Sequence, residues 1–348
     1  MTWAASHRLL PDGRRLHLQH GPIDIIAEAQ GAPDEVARAY EQAVARFATV
    51  LCELTAELPV LRTAVQAGEC PLRGAIARRM WRAVRPFAVD IVEPVSRTPH
   101  FVTPMAAVAG AVAESVLASM VAGRDLARAY VNNGGDIALH LSPGADAFRL
   151  AIVVDPQHPA SPGTVEIAEA SDVRGIATSG WRGRSFSLGV ADSVTVFDRS
   201  AAQADVAATM IANAVDLPGH PAVIRKPAAA LAPDSDLGER CVTVEVGILS
   251  RAEIYEALAR GEALAEELLR TGLASGASLV VKNVARLVGT PPPLHRATRD
   301  SAFPGHREER SGNLRMRSCI NAGLGPFTLL GERSLVEGQD SPNGRNVA

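Results

Sequence analysis

The chain has 348 residues, enough for one large or two moderate domains, and its 47% hydrophobic content supports a full core and excludes wholesale disorder. Aromatic residues make up only 4%, so alanine, valine and leucine do most of the packing, while a net charge of −3 argues against nucleic acid as the main partner. No charge-free run reaches ~18 apolar residues, the start lacks the apolar stretch of a signal peptide, and Cys52, Cys70, Cys241 and Cys319 are scattered without a C-x-x-C; a cytoplasmic chain with free thiols and no membrane span is expected.

Arg14–Gln19 and Ile23–Ala29 read as a hairpin across His20-Gly21-Pro22. Pro33-Asp34 opens a long helix to about residue 56, on which Val36, Tyr40, Val44, Phe47, Leu51 and Leu54 form one apolar stripe. Residues 71–86 interleave Arg73, Arg78, Arg79, Arg82 and Arg85 with Ile76, Met80, Trp81 and Val84, either a solvated helix face or an arginine face for phosphates. Thr103-Pro104 starts a helix over 104–122 that is nearly uncharged and so must be buried on most sides. Within it, Ala109-Gly110-Ala111 permits close approach of another backbone or a ligand. Its one charge, Glu114, either anchors an arginine or serves as a site carboxylate.

Ala129–Asn132 leads a strand into Asn133-Gly134-Gly135-Asp136, and Ile137–Leu141 leads out. Paired glycines can take positive φ and leave amides facing a ligand, though a plain hairpin turn has the same sequence. Phe148–Val154 and Thr164–Ala168 continue as strands around a Pro-rich loop, 156–162. Arg174–Thr178 delivers the Thr178-Ser179-Gly180 turn, an arginine-bearing loop follows, and Ala191–Phe197 alternates as a half-buried strand. Ser200 caps a helix over 201–215, on which Asp205 and Thr209 stand four apart with both oxygens on one face. Such a pair is either solvated or suited to magnesium beside a phosphate.

Leu217–Leu237, rich in proline, reads as a long loop, a lid or a linker. Arg240–Leu249 alternates as a strand, Ser250-Arg251-Ala252-Glu253 is a capping box opening an amphipathic helix, and Gly276–Val281 supplies a closing strand. The expected fold is α+β, largely antiparallel sheets flanked by helices, over residues 1–289. Residues 290–348, rich in Pro, Gly and Arg, read as a loosely ordered tail.

Asn132-Asn133-Gly134-Gly135-Asp136, Thr178-Ser179-Gly180, Ser193-Val194-Thr195-Val196 and Ala204-Asp205-x-x-x-Thr209 occur in that order. Together they resemble the ApbE family, the FAD:protein FMN transferases, and more closely a bacterial branch of that superfamily. The resemblance covers about residues 14 to 285 and implies an ApbE-like, T-fold-related architecture. It implies a small nucleotide ligand, FAD or FMN, bound with Mg²⁺, and a protein acceptor or redox partner. Asn133, Gly134, Gly135, Thr178, Ser179, Gly180 and Glu114 would then line the nucleotide, Asp205 and Thr209 would hold the metal, and Asp136 or Asp192 would act as base. One departure stands out. ApbE transferases carry a His-Ile-x-Asp-Pro-x-Thr-Gly segment after the T-S-G turn, whereas only Trp181–Asp192 lies there in this chain, with neither histidine nor proline. Binding therefore carries over more readily than FMN transfer, leaving a flavin carrier or accessory factor, or a metal-dependent hydrolase in the same cleft, as alternatives.

Overall fold

A computed structural model describes residues 4–91, 100–152, 163–289, 294–296 and 327–329 of the protein. In chain order the strands are β1 (Ser6–Leu9), β2 (Leu16–His20), β3 (Ile23–Gly31), β4 (Leu126–Asn133), β5 (Asp136–Leu141), β6 (Phe148–Ile152), β7 (Gly163–Ile167) and β8 (Gly175–Ser179). They continue as β9 (Ser193–Asp198), β10 (Val223–Pro227), β11 (Cys241–Val246), β12 (Gly276–Val281), β13 (Val284–Gly289), β14 (Leu294–Arg296) and β15 (Phe327–Leu329). The helices are α1 (Pro33–Ala56), α2 (Leu58–Leu61), α3 (Ala75–Val89), α4 (Val108–Val121), α5 (Ala201–Ala214), α6 (Ala228–Leu231) and α7 (Arg251–Arg270). A 3₁₀ turn, Pro104–Ala107, leads into α4 under a Thr103 cap that accepts from the Met105 amide.

Nine strands form one sheet in the order β1-β2-β3-β4-β5-β8-β9-β12-β13. β10 pairs with β11 alone, and β14-β7-β6-β15 form a third, small sheet. Every described pair is antiparallel, as the alternating sequence implies. Period-two alternation gives the large sheet two buried faces. Val131, Ala138, Ala177, Val194 and Val196 meet the helices, whereas Tyr130, Ile137, Leu139, Ile176 and Phe197 join Phe148, Leu150, Val165 and Ile167 of the small sheet.

α4 packs between α1 and α5, and α5 touches α7 on its other side. α3 rests on α1, α4 and α5. By length and composition, Pro104–Val121 could cross a membrane, despite the charge at Glu114, but half of it is buried inside this fold. Its small residues let α5 approach: a Cβ on Gly110 would stand 2.2 Å from the Ala201 carbonyl oxygen. A Cβ on Gly175, where β8 begins, would stand 2.2 Å from the Ala201 nitrogen. The start of α5 is thus clamped between a helix and a strand, and that clamp aims Asp205.

Two expectations need correction. The 217–237 segment is not one long loop, because Val223–Pro227 pairs with β11 and Ala228–Leu231 makes a helical turn. Gly276–Val281 does not close the sheet either, since β13 pairs beyond it at the edge. The expectations for the 156–162 loop and for most of the 290–348 tail lie outside the described residues. Within that tail, Leu294–Arg296 pairs with β7 and Phe327–Leu329 with β6.

Candidate functional site

The β4–β5 turn is built by its own sequence. Gly134 and Gly135 have φ of 68° and 117°, and the Gly135 amide donates to Asn132 Oδ1 at 2.8 Å. Asn133 Nδ2 donates to the Ala109 carbonyl at 3.1 Å, tying the turn to α4. Asp136 then starts β5 on the helix side of the sheet, and its Oδ1 accepts the Thr178 amide of β8 at 3.2 Å. Across β8 and β9, the Thr178 and Thr195 hydroxyls bond each other at 2.8 Å. α5 enters from above: Asp205 Oδ2 accepts the Gly110 amide of α4 at 3.0 Å.

These elements enclose a cavity of about 120 Å³. Of the residues expected from sequence, Asn133, Gly134, Asp136, Thr178, Ser179, Gly180, Asp192 and Asp205 line it. Gly135, Glu114 and Thr209 do not. Glu114 instead accepts from the Ser200 hydroxyl at 2.6 Å and the Ala202 amide at 3.2 Å, and its other oxygen pairs with Arg79 at 3.3 Å. Of the two roles open to Glu114, this is the anchor: it caps α5 and ties it to α3. Thr209 is half-buried one turn past Asp205, outside the lining.

Asp192 is held tightly. Trp181 Nε1 donates to it at 3.1 Å, Arg182 Nε at 2.8 Å, and the Lys282 amide to its second oxygen. Three donors on a carboxylate only 8% exposed make it the anchor of the 181–185 loop. The residues that sequence reasoning missed are in that loop. Arg182, Gly183, Arg184 and Ser185 all line the cavity. The Arg184 guanidinium lies directly over the β4–β5 turn, so close that a Cβ on Gly134 would be 1.7 Å from Nη2. The available signal was the Arg182-Gly183-Arg184-Ser185 run just after the T-S-G turn.

The electrostatics centre on two acids. Both residues keep some exposure through the cavity, yet protein surrounds their carboxyl groups. Burial pushes Asp136 up to about 7, against the Thr178 amide and the Arg184 charge, which favour ionisation. Burial also raises Asp205 well above the usual carboxylate range, and the charge on Asp136 adds to this. Without a compensating cation, Asp205 favours its protonated form at neutral pH and Asp136 is only partly ionised. A divalent ion reverses that preference, because it compensates the charge that desolvation penalises. Among the described residues no three His, Cys, Asp or Glu side chains converge. A cation here would rest on two carboxylates and complete its shell with water or ligand oxygens, as magnesium commonly does.

A model of the family described as "AbpE bacteria" matches residues 7–288. The chain belongs to that family. Curated relatives include a UPF0280 protein of Methanopyrus kandleri, 37% identical over 161 residues, covering 46% of this chain and 54% of the relative. A UPF0280 protein of Methanothrix thermoacetophila is 41% identical over 116 residues, covering 33% of this chain and 46% of the relative. The chain thus spans about half the length of the curated relatives it matches, and both of these are archaeal. Similar solved structures include an ApbE protein from Thermotoga maritima, with a TM-score of 0.40 and 11% identity over 82% of this chain and 97% of that one. The flavinyl transferase ApbE of Pseudomonas stutzeri has a TM-score of 0.38 and 14% identity over 83% and 94%.

Proposed function

We propose that the chain binds the phosphate end of a flavin nucleotide, FAD or FMN, through Mg²⁺ held at Asp205 and Asp136. The observation that carries this reading is the desolvated acid pair, set opposite Arg184 and two glycine-bearing turns in one small cavity. Membership of the ApbE-like family supports the choice of a flavin nucleotide. At about 120 Å³ the cavity takes a phosphate and a cation rather than a whole nucleotide, since drug-sized ligands occupy roughly 300–1,000 Å³. The rest of the molecule extends past the mouth. Asp136 replaces Thr209 as the second metal oxygen, because it lines the cavity and Thr209 does not. Arg184 would meet the phosphate as a planar fork, and the Ser179–Gly180 turn belongs to the same lining. Magnesium held there would neutralise phosphate charge and would favour the ionised form of Asp136.

A carrier or accessory role fits the lining better than transfer to a protein acceptor. Among the described residues no histidine or cysteine lines the cavity, and Asp192 is occupied by three donors. The test is incubation with FAD, Mg²⁺ and a threonine-containing acceptor peptide, read by mass spectrometry. The peptide is expected to keep its mass and FAD to remain intact. A mass gain of one FMN would make the protein a transferase, and AMP release without peptide labelling would make it a hydrolase.

A further inference from the structure

A second concavity, about 550 Å³, lies between α3 and the first turn of α5. It shares no lining residue with the acid-pair cavity and sits beside the Glu114–Arg79 link. Arg78, Arg79 and Arg82 face it at i, i+1 and i+4 on α3, and Arg73 joins from the approach to that helix. Glu114 engages Arg79 at 3.3 Å, while Arg73, Arg78 and Arg82 have no ion-pair partner among the described residues. Three guanidinium groups without an ion-pair partner among the described residues thus gather on one wall of a chain whose net charge is −3.

The opposite wall is the start of α5, where Ser200, Ala202 and Gln203 line the space. The positive end of the helix dipole points there. Gln203 is half-buried and adds a polar side chain to the same wall.

We infer that this pocket is a binding site for a small molecule carrying two or more phosphate groups, separate from the cavity proposed for the flavin nucleotide. Arginine forks match phosphate oxygens bidentately, and the volume lies in the range of small-molecule sites of roughly 300–1,000 Å³. The concave shape and the negative net charge favour a small anion over a nucleic acid.

Calorimetric titration with inorganic triphosphate in EDTA isolates this site, because the acid pair needs a cation to hold phosphate. The wild type should bind one equivalent saturably, and more weakly as salt rises. Arg78→Ala/Arg82→Ala, both changes on exposed positions, should weaken binding by ~10-fold or more, and so should Arg73→Ala. Asp205→Asn should bind triphosphate as the wild type does. Absence of saturable binding, binding that ignores the arginine substitutions, or binding lost with Asp205→Asn would each overturn the assignment. A labelled oligonucleotide that binds more tightly than triphosphate through the same arginines would overturn the small-molecule class.

Discussion

Gly110→Ala tests the helix crossing on which the acid pair depends. A methyl there would stand 2.2 Å from the Ala201 carbonyl oxygen and 2.5 Å from its carbon, where real Cβ contacts essentially never fall below 3.0 Å. The shortfall from 2.2 to 3.0 Å means that α4 and α5 must part by about 0.8 Å. The obstacle is backbone of a buried helix, so no side chain can swing aside. Overpacking costs about 1–3 kcal/mol, and an immovable neighbour puts this case near the upper end. Alanine's better helix propensity offsets about 1 kcal/mol, which leaves a net loss of ~2 kcal/mol. The same shift lengthens the 3.0 Å bond from the Gly110 amide to Asp205, so metal-linked binding should weaken with stability. Urea unfolding followed by circular dichroism, in EDTA at fixed pH, measures the first effect. A variant as stable as the wild type would refute the crossing geometry.

Two further substitutions separate the roles of the cavity carboxylates. In the folded chain Asp136 titrates at about 7, above its ordinary 3.8, so between roughly pH 4 and 7 the native state holds a proton that the unfolded state has lost. Stability in EDTA should therefore fall as pH rises through that window, with Asp136 contributing up to ~1.4 kcal/mol per pH unit beside the contribution of the raised Asp205. Asp136→Asn should reduce the slope and melt above the wild type at pH 8; an unchanged slope in thermal melts would contradict the buried-acid reading. Asp192→Ala strands the Trp181 indole and the Lys282 amide, so it should lower stability by ~2–4 kcal/mol and speed tryptic cleavage at Arg182 and Arg184. Unaltered melting and cleavage would show that Asp192 does not anchor the loop.

Much of this was legible where local chemistry decides. The Ser250–Glu253 capping box forms as read, and the α1 stripe buries Phe47 and Leu54. The Gly134-Gly135 turn takes the positive φ its sequence invites. Asp205 could be singled out from one helix, but its partner could not. Spacing offered Thr209, while the sheet brings Asp136 from 69 positions away. Glu114 was ambiguous for the same reason: both of its roles share one sequence, and only Arg79 on a distant helix decides between them. β10 escaped notice because a short, Pro-flanked strand in a two-stranded pair has no buried face on each side to impose alternation. Arg184 sits in a loop without period, where sequence shows charge but not direction.

Calorimetric titration of FMN and of FAD, with and without Mg²⁺, on the wild type and on Asp205→Asn, tests whether Asp205 holds a cation that links a flavin nucleotide to the protein. Mg²⁺ should strengthen nucleotide binding to the wild type by ~10-fold or more, with proton release, and Asp205→Asn should lose this gain while keeping its fold. Equal affinities in all four conditions would contradict that role and remove the metal from the site.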